Sequence, residues 1–336
     1  MGEPFKTFGF LTLSKYSMIA LTSAIEALRM ANQLREAELY QWSIYSVDER
    51  PVVASNGIAA GPSRVLDMSQ SLPDVVFVCG GWDVRDAVDG QVITLLQALA
   101  ERGVALGGLC TGAYALMASG LLDGYRCAIH WEVLSELHSE FPDVRFVDEL
   151  FAMDRDRITC TGGTAPLDMM LHLITQDQGK VMARNISEQF SVDCVREVSD
   201  PQPIPVASRV GFSRHELVET VRLMEANIDE PLTVPDLARL VGVSMRHLQR
   251  VFRESLNTTP YEYYIGIRLR AARKLIRYSN LPIASVTKRC GFQSSTHFSR
   301  AFRSFFGHAP SHERRAGEPF FEGDSIPAIA TTQPRG

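Results

Sequence analysis

At 336 residues, 45% hydrophobic and 22% charged, the chain has the composition of a soluble globular protein long enough for two domains. It has no run of 18 apolar residues and no C-x-x-C pair among its six cysteines, which excludes a membrane-spanning helix, a zinc site and a disulfide framework. The net charge of −5 conceals +9 on residues 208–317 and −14 on the rest, a basic module on an acidic chain, as phosphate binding requires.

The N-terminus, Met1-Gly2-Glu3-Pro4-Phe5-Lys6-Thr7, lacks the basic-then-apolar pattern of a secretory leader, so a cytoplasmic protein is expected. Phe8–Leu13 predicts a strand, Ile19–Leu34 a helix and Trp42–Val47 a second strand. Val52-Val53-Ala54-Ser55 with Asn56-Gly57 predicts a hairpin. Val75–Cys79 is an uninterrupted apolar run, as in a strand buried on both faces of a parallel sheet, and it ends in Gly80-Gly81-Trp82. A helix over 92–102, a strand over 104–109 and a helix over 111–122 follow. Late strands lie at 151–153 and 157–160, and a long helix at 165–178. This alternation predicts a doubly wound α/β domain over residues 1–199. Gly179–Glu188 continues as helix, and Gln189–Val198 is expected to pack against it or against a second subunit.

Gly108-Leu109-Cys110-Thr111-Gly112 has the form of a nucleophile elbow with Cys in place of Ser. A helix starting at Thr111 would favour negative charge, lower the Cys110 pKa and bind anionic groups. Gly80 and Gly81 could lend backbone N–H groups, and His130 is a candidate partner. Thr161-Gly162-Gly163-Thr164 is either a helix cap or an anion nest. These residues resemble the class I glutamine amidotransferase-like fold in its ThiJ/PfpI branch. The resemblance is carried by Gly80-Gly81, the Cys110 elbow and Cys127-Ala128-Ile129-His130-Trp131, where that branch often has a catalytic His. Enzymes of the branch also carry an early acidic residue. Here Ala20 takes the matching place, with Glu26 nearby, so the resemblance implies a retained binding pocket without turnover. The pocket is expected to use Gly80, Gly81, Trp82, Cys110, Thr111, His130 and Trp131, with no metal or cofactor. Trp82 and Trp131 facing each other could hold an ammonium group.

Asp200-Pro201-Gln202-Pro203-Ile204-Pro205 reads as a linker over 200–208. Ser213 then caps a helix over 215–227, opening a domain assigned to 209–312. Within it a phrase is written twice: His247-Leu248-Gln249-Arg250-Val251-Phe252-Arg253 and His297-Phe298-Ser299-Arg300-Ala301-Phe302-Arg303. Pro260 and Pro310 repeat at the same offset, and Gly242 and Gly291 precede the two phrases. Each copy predicts two helices around a glycine turn, a helix-turn-helix whose second helix enters the major groove. Thr233 and Ser244 are caps. Leu248, Val251, Phe252 and Ser255 face inward, as do Phe298, Ala301, Phe302 and Phe305. Met245, Arg246, Gln249, Arg250 and Arg253, and then Ser295, Thr296, Ser299, Arg300 and Arg303, face outward. These are residue types that read bases and phosphates. A long helix from Tyr261 to Tyr278 separates the copies, so one chain could read two successive grooves. The stretch resembles the AraC/XylS DNA-binding domain. The tail, 313–336, is expected to be disordered.

Together these features predict a regulator that binds double-stranded DNA. The joint resemblance implies an activator of a catabolic operon, working with RNA polymerase, dimeric through its N-terminal domain. Its effector would be a betaine, carnitine or amino acid. The alternatives are a Cys-dependent hydrolase with a DNA-targeting module, and an architectural DNA binder.

Overall fold

The computed structural model describes residues 4–48, 50–61, 64–192, 195–198, 200, 202 and 215–316. The chain divides into two units, Met1–Arg209 and Val210–Gly336.

The first unit is built on a six-stranded sheet in the order β2-β1-β5-β6-β10-β9. The strands are β1 (Thr7–Thr12), β2 (Gln41–Tyr45), β5 (Val75–Cys79), β6 (Ala105–Leu109), β9 (Phe151–Asp154) and β10 (Arg157–Cys160). All neighbours are parallel except β9 and β10. The hairpin strands β3 (Val52–Val53) and β4 (Ala59–Ala60) pair antiparallel around Asn56-Gly57, as expected. A short parallel pair, β7 (Arg126–Cys127) and β8 (Arg145–Phe146), lies outside the main sheet. Alternation along β5 divides the core: Val75, Phe77 and Cys79 serve one face with Phe8, Phe10, Leu28 and Met170. Val76 and Val78 serve the other with Leu11, Leu96, Leu106 and Leu116. That two-sided burial is why β5 has no polar residue.

Helices cover both faces: α1 (Met18–Arg35), α2 (Gly90–Glu101), α3 (Ala113–Ala118), α4 (Trp131–Glu140), α5 (Ala165–Gln178) and α6 (Lys180–Gln189). The helix after the cysteine is shorter than predicted, because Gly112 N–H is already bonded to the Leu109 carbonyl and Gly120 ends the run at positive φ. The segment after α6 folds back on its own unit: Phe190, Val195 and Val198 pack on the α1/α5 side of the sheet. Position 202 also departs from expectation. Gln202 is 3% exposed and donates its backbone N–H to the Asp148 carbonyl at 2.8 Å, so the root of the predicted linker belongs to the first unit. The rest of that linker, and Ser213, lie outside the described residues.

The second unit is all helical: α7 (His215–Ala226), α8 (Val234–Leu240), α9 (Met245–Leu256), α10 (Pro260–Tyr278), α11 (Ile283–Arg289), α12 (Ser295–Phe306) and α13 (Pro310–Ala316). Thr233 caps α8 by accepting from Asp236 N–H, and Ser244 caps α9 by accepting from His247 N–H. The turns between the paired helices are made by Gly242 and Gly291, at φ 75° and 72°, a region open to glycine without a Cβ penalty. Thr259 and Glu262 form a reciprocal capping box at the start of α10, with Pro260 in the first turn. Two sequence expectations are corrected. Phe305 is 46% exposed: it shares the face of Phe298 but lies in the last turn of α12, beside Gly266 and Arg270 of α10 and outside the core. The domain does not end at 312: α13 runs to Ala316, and Glu313 is 1% exposed. The remainder of the predicted tail lies outside the described residues.

Candidate functional site

The helix-turn-helix geometry gives each second helix a clean division of faces. On α9, Leu248, Val251 and Phe252 are buried, while Met245, Arg246, Gln249, Arg250 and Arg253 are exposed. On α12, Phe298 and Phe302 are buried. Ser295, Thr296, Arg300 and Arg303 are exposed, with Ser299 half-buried between them. Those last five side chains line one concavity of about 430 Å³. Each face therefore presents guanidinium, amide or hydroxyl donors suited to base edges and phosphates. The connecting helix α10 has 19 residues, about 28 Å of rise.

The two faces differ in how their central arginine is held. Arg250 lies 3.3 Å from His247 Nδ1 and 3.8 Å from Glu254, and His247 reaches Glu216 on α7 at 3.4 Å. In the second copy His297 packs its ring near Phe292 instead, with centroids 5.8 Å apart.

In the first unit, the carboxyl ends of β5 and β6 meet at the Cys110 elbow. Cys110 adopts φ 60°, the strained left-handed conformation of such a turn. Gly80 and Gly112 allow the approach: a Cβ on Gly80 would fall 2.4 Å from Gly112 N, and one on Gly112 would fall 1.9 Å from the Val78 carbonyl oxygen. Thr111 Oγ1 donates to the Gly81 carbonyl at 2.7 Å. Gly80 N–H is spent on the Leu109 carbonyl and Trp82 N–H on that of Lys15, so Gly80 does not offer the free donor expected of it.

The thiol is not activated. Burial pushes Cys110 up to about 11, against the Thr111 backbone N–H that stabilises a thiolate, and the nearby Glu132 carboxylate adds to the rise. The expected lowering by the following helix is overturned by desolvation, and that helix has only six residues. His130 caps α4, with its Nδ1 3.5 Å from Glu132 N. Burial lowers its pKa, partly offset by Glu132, so the ring is neutral near pH 7. The Gly162 backbone abuts both groups: a Cβ there would meet His130 Cδ2 at 2.7 Å and Cys110 Sγ at 3.0 Å. The early acid is absent here too. Ala20 is buried, and Glu26 is paired with Arg29 on the same helix.

Beside the elbow a cavity of about 310 Å³ is lined by Gly81, Trp82 and Thr111 with Asp83, Arg85, Asp86 and Glu132. Trp82 is 72% exposed at its rim. Trp131 does not line this cavity. It packs against His130, ring centroids 5.4 Å apart, so the pair of facing indoles is not assembled. Gly80, Cys110 and His130 are not among the cavity's lining residues.

Two family models match the chain: a helix-turn-helix domain over residues 237–316, and the DJ-1/PfpI family over 17–176. The HTH-type transcriptional regulator GbdR of Pseudomonas aeruginosa is 43% identical over 314 residues, covering 94% of this chain and 85% of that one. CdhR of the same species, also an HTH-type transcriptional regulator, is 40% identical over 307 residues, 91% of each chain. The chain belongs to the AraC-type transcriptional regulators that carry a DJ-1/PfpI domain. Among solved structures, an AraC family transcriptional regulator from Pseudomonas putida is 30% identical, with TM-score 0.50. It covers 55% of this chain and 99% of that one.

The regulator is thus a DNA-binding protein with an α/β domain of DJ-1/PfpI type. Several residues of its sites escaped sequence reasoning. Asp83, Arg85, Asp86 and Glu132 carry no motif and are brought together only by the turn after β5 and the start of α4. Gly162 did stand in a motif, but its approach to Cys110 and His130 depends on the position of β10 beside β6. Among the described residues no helix is long and apolar enough to cross a membrane.

Proposed function

We propose that this regulator activates a catabolic operon in response to a small zwitterion or amino acid that it binds without consuming. It would act with RNA polymerase and as a homodimer through its first unit. One observation carries the reading. The cavity at the carboxyl ends of β5 and β6 combines an exposed indole with acidic side chains, beside a thiol held near 11. A thiol in that state is a poor nucleophile at neutral pH, which supports binding over turnover. Asp86 and Glu132 favour the cationic end of the ligand, while Asp83 is paired with Lys15 at 2.5 Å. Trp82 adds cation–π attraction of about 0.5–2 kcal/mol. Arg85 can meet a carboxylate, although it is shared with Glu140 at 2.6 Å. Arg246, Gln249, Arg250, Ser295, Thr296 and Arg300 are the residues proposed to read the operator, with Met245, Arg253, Ser299 and Arg303 beside them.

Calorimetric titration of the full chain with glycine betaine, carnitine and arginine tests the ligand class. Heat is expected from one of the three, weakened by Trp82→Ala and unchanged in Cys110→Ser. Silence at millimolar ligand removes this class. Consumption of a ligand that stops in Cys110→Ser would instead establish the hydrolase reading.

A further inference from the structure

The segment that leaves the first unit towards the DNA-binding unit is clipped to elements around the cysteine site by three of its residues, Arg196, Asp200 and Gln202. Leu150 N–H donates to the Asp200 carbonyl at 3.0 Å, and Gln202 N–H donates to that of Asp148 at 2.8 Å. The Gln202 side chain donates through Nε2 to the Ile129 carbonyl at 3.2 Å, one residue before His130. Arg196 grips Asp168 of α5 with its backbone N–H at 2.7 Å, Nε at 2.9 Å and a terminal nitrogen at 2.7 Å, and it also reaches Thr164 Oγ1 at 2.8 Å.

Each anchor stands next to a residue adjoining the effector cavity: His130 caps the helix that carries Glu132, and Cys110 precedes Thr111, both of which line it. Thr161 N–H donates to the Leu150 carbonyl at 2.8 Å, so Leu150 is held between the Thr161-Gly162 loop on one side and Asp200 on the other. Gly162 touches His130 and Cys110 Sγ, and Thr164 begins the helix that carries Asp168. Movement of His130 or Gly162 must therefore pull on Ile129, Leu150 or α5, and each of these holds the exit segment.

We infer that Gln202 and Arg196 are the coupling residues through which occupancy of the effector site is transmitted to the exit segment, and so to the DNA-binding unit. The Gln202 clip is built to release. The residue is buried, yet its Oε1 finds no donor among the described residues. A buried acceptor without a donor offsets much of what the Nε2 bond contributes, so the docked state is held by a narrow margin. An element with two arrangements of similar free energy is what a coupled site requires. Arg196 is the firmer anchor, since its fork meets a buried carboxylate.

The inference rests on the effector reading above, but its test needs no effector. Hydrogen exchange with mass spectrometry on the full chain compares wild type with His130→Ala, Gly162→Ala and Gln202→Ala. His130→Ala and Gly162→Ala should speed exchange in the peptide containing Gln202 by about tenfold while β5 stays protected. By reciprocity, Gln202→Ala should speed exchange at Thr161–Gly163. If Gly162→Ala does not fold, His130→Ala carries the test alone. Either variant with protected β5 and exchange at Gln202 within about twofold of wild type overturns the coupling. So does a Gln202→Ala effect confined to its own segment. Silent calorimetry with a positive exchange result removes the ligand class and leaves the coupling in place.

Discussion

The two helix-turn-helix copies share a plan and differ in what holds it. Both reading helices start with a serine that accepts from the N–H of the histidine three residues on, Ser244 to His247 and Ser294 to His297. Both end in a left-handed residue, Asn257 and Gly307, followed by a proline that opens the next helix. The first copy adds aliphatic packing and a capping box at Thr259. The second has an aromatic core of Phe292, Phe298 and Phe302 and two buried charged groups. Arg268, 8% exposed, donates to the Cys290 carbonyl at 2.8 Å and lies 4.1 Å from the Phe292 ring centre. Glu313 accepts from Arg273 at 2.9 Å and also from Arg277 and His308. A repeat in sequence is thus not a repeat in energetics: the first copy has the part-exposed His247–Glu216 contact, whereas the second closes on a buried carboxylate shared by Arg273, Arg277 and His308.

The largest expected effect breaks that difference. Glu313→Ala removes the buried carboxylate that Arg273, Arg277 and His308 share, and breaking a buried pair of this kind typically costs up to about 3–5 kcal/mol. The position fifty residues earlier is Tyr263, half-buried, and its truncation should loosen the first copy by less. Urea unfolding of the full chain, read by exchange at α12 and α9, checks this. A Glu313→Ala chain within about 1 kcal/mol of wild type would mean that the cluster contributes little beyond an exposed pair.

The same cluster sets a pH dependence. Burial alone would raise the Glu313 carboxyl, but hydrogen bonds from His308, Arg273 and Arg277 outweigh it and hold the group below its ordinary value of 4.5. A carboxyl with a depressed folded pKa stabilises fully above its unfolded value, and that contribution is lost as pH falls through the folded one. On acidification below 4.5, α12 and α13 should therefore lose protection before α9, and Glu313→Gln should remove the difference. Equal loss in both copies would show that acid acts elsewhere.

On DNA the comparison runs through Arg250 and Arg300. Removing a bidentate arginine–base pair costs about 1–3 kcal/mol, or about tenfold or more in affinity. Each alanine variant should weaken binding to a cognate promoter, with the salt slope falling by about 0.9 for each phosphate that is no longer neutralised. Arg250 must also leave Glu254, so Glu254→Gln should tighten binding slightly at low salt, with no counterpart in the second copy. Wild-type affinity in both arginine variants would show that these helices do not read the groove as proposed.

How much of this was legible in the sequence follows from what each signal depends on. The two copies were legible because helix caps, glycine turns and a 3.6-residue stripe are local. The sheet was legible from the apolar run at 75–79 and the alternation of elements. Periodicity puts Phe305 on the inward face with Phe298, but it does not say where along α12 the core ends. Sequence alone leaves Glu313 in a tail, because both arginines that hold it are distant in the chain, 36 and 40 residues away. The elbow was recognised but not its chemistry: a G-x-C-x-G pattern fixes backbone shape, whereas a thiol pKa depends on burial by residues distant in the chain. Gln202 was hidden by its prolines, which mark an extended segment and do not say whether it is docked.

The smallest effect bears on whether the copies are equivalent at their ends. Asn257 and Gly307 occupy the same C-terminal position of the reading helices, at φ 49° and 81°, and each donates its N–H to the arginine four residues before, at 3.1 Å and 2.9 Å. A side chain in the left-handed region costs roughly 1–2 kcal/mol, less for Asn than for most residues. Glycine avoids that cost but gives up more backbone entropy on folding, roughly 0.5–1 kcal/mol. The two nearly cancel, so Asn257→Gly should stabilise the first copy by a few tenths of a kcal/mol at most. Gly307→Ala meets the steric cost without the polar tolerance of Asn and should destabilise the second copy by about 1 kcal/mol. Paired urea midpoints on the two variants measure the contrast. If Asn257→Gly destabilises as much as Gly307→Ala, the asparagine side chain makes a contribution that glycine cannot replace, and the two helix ends are not interchangeable.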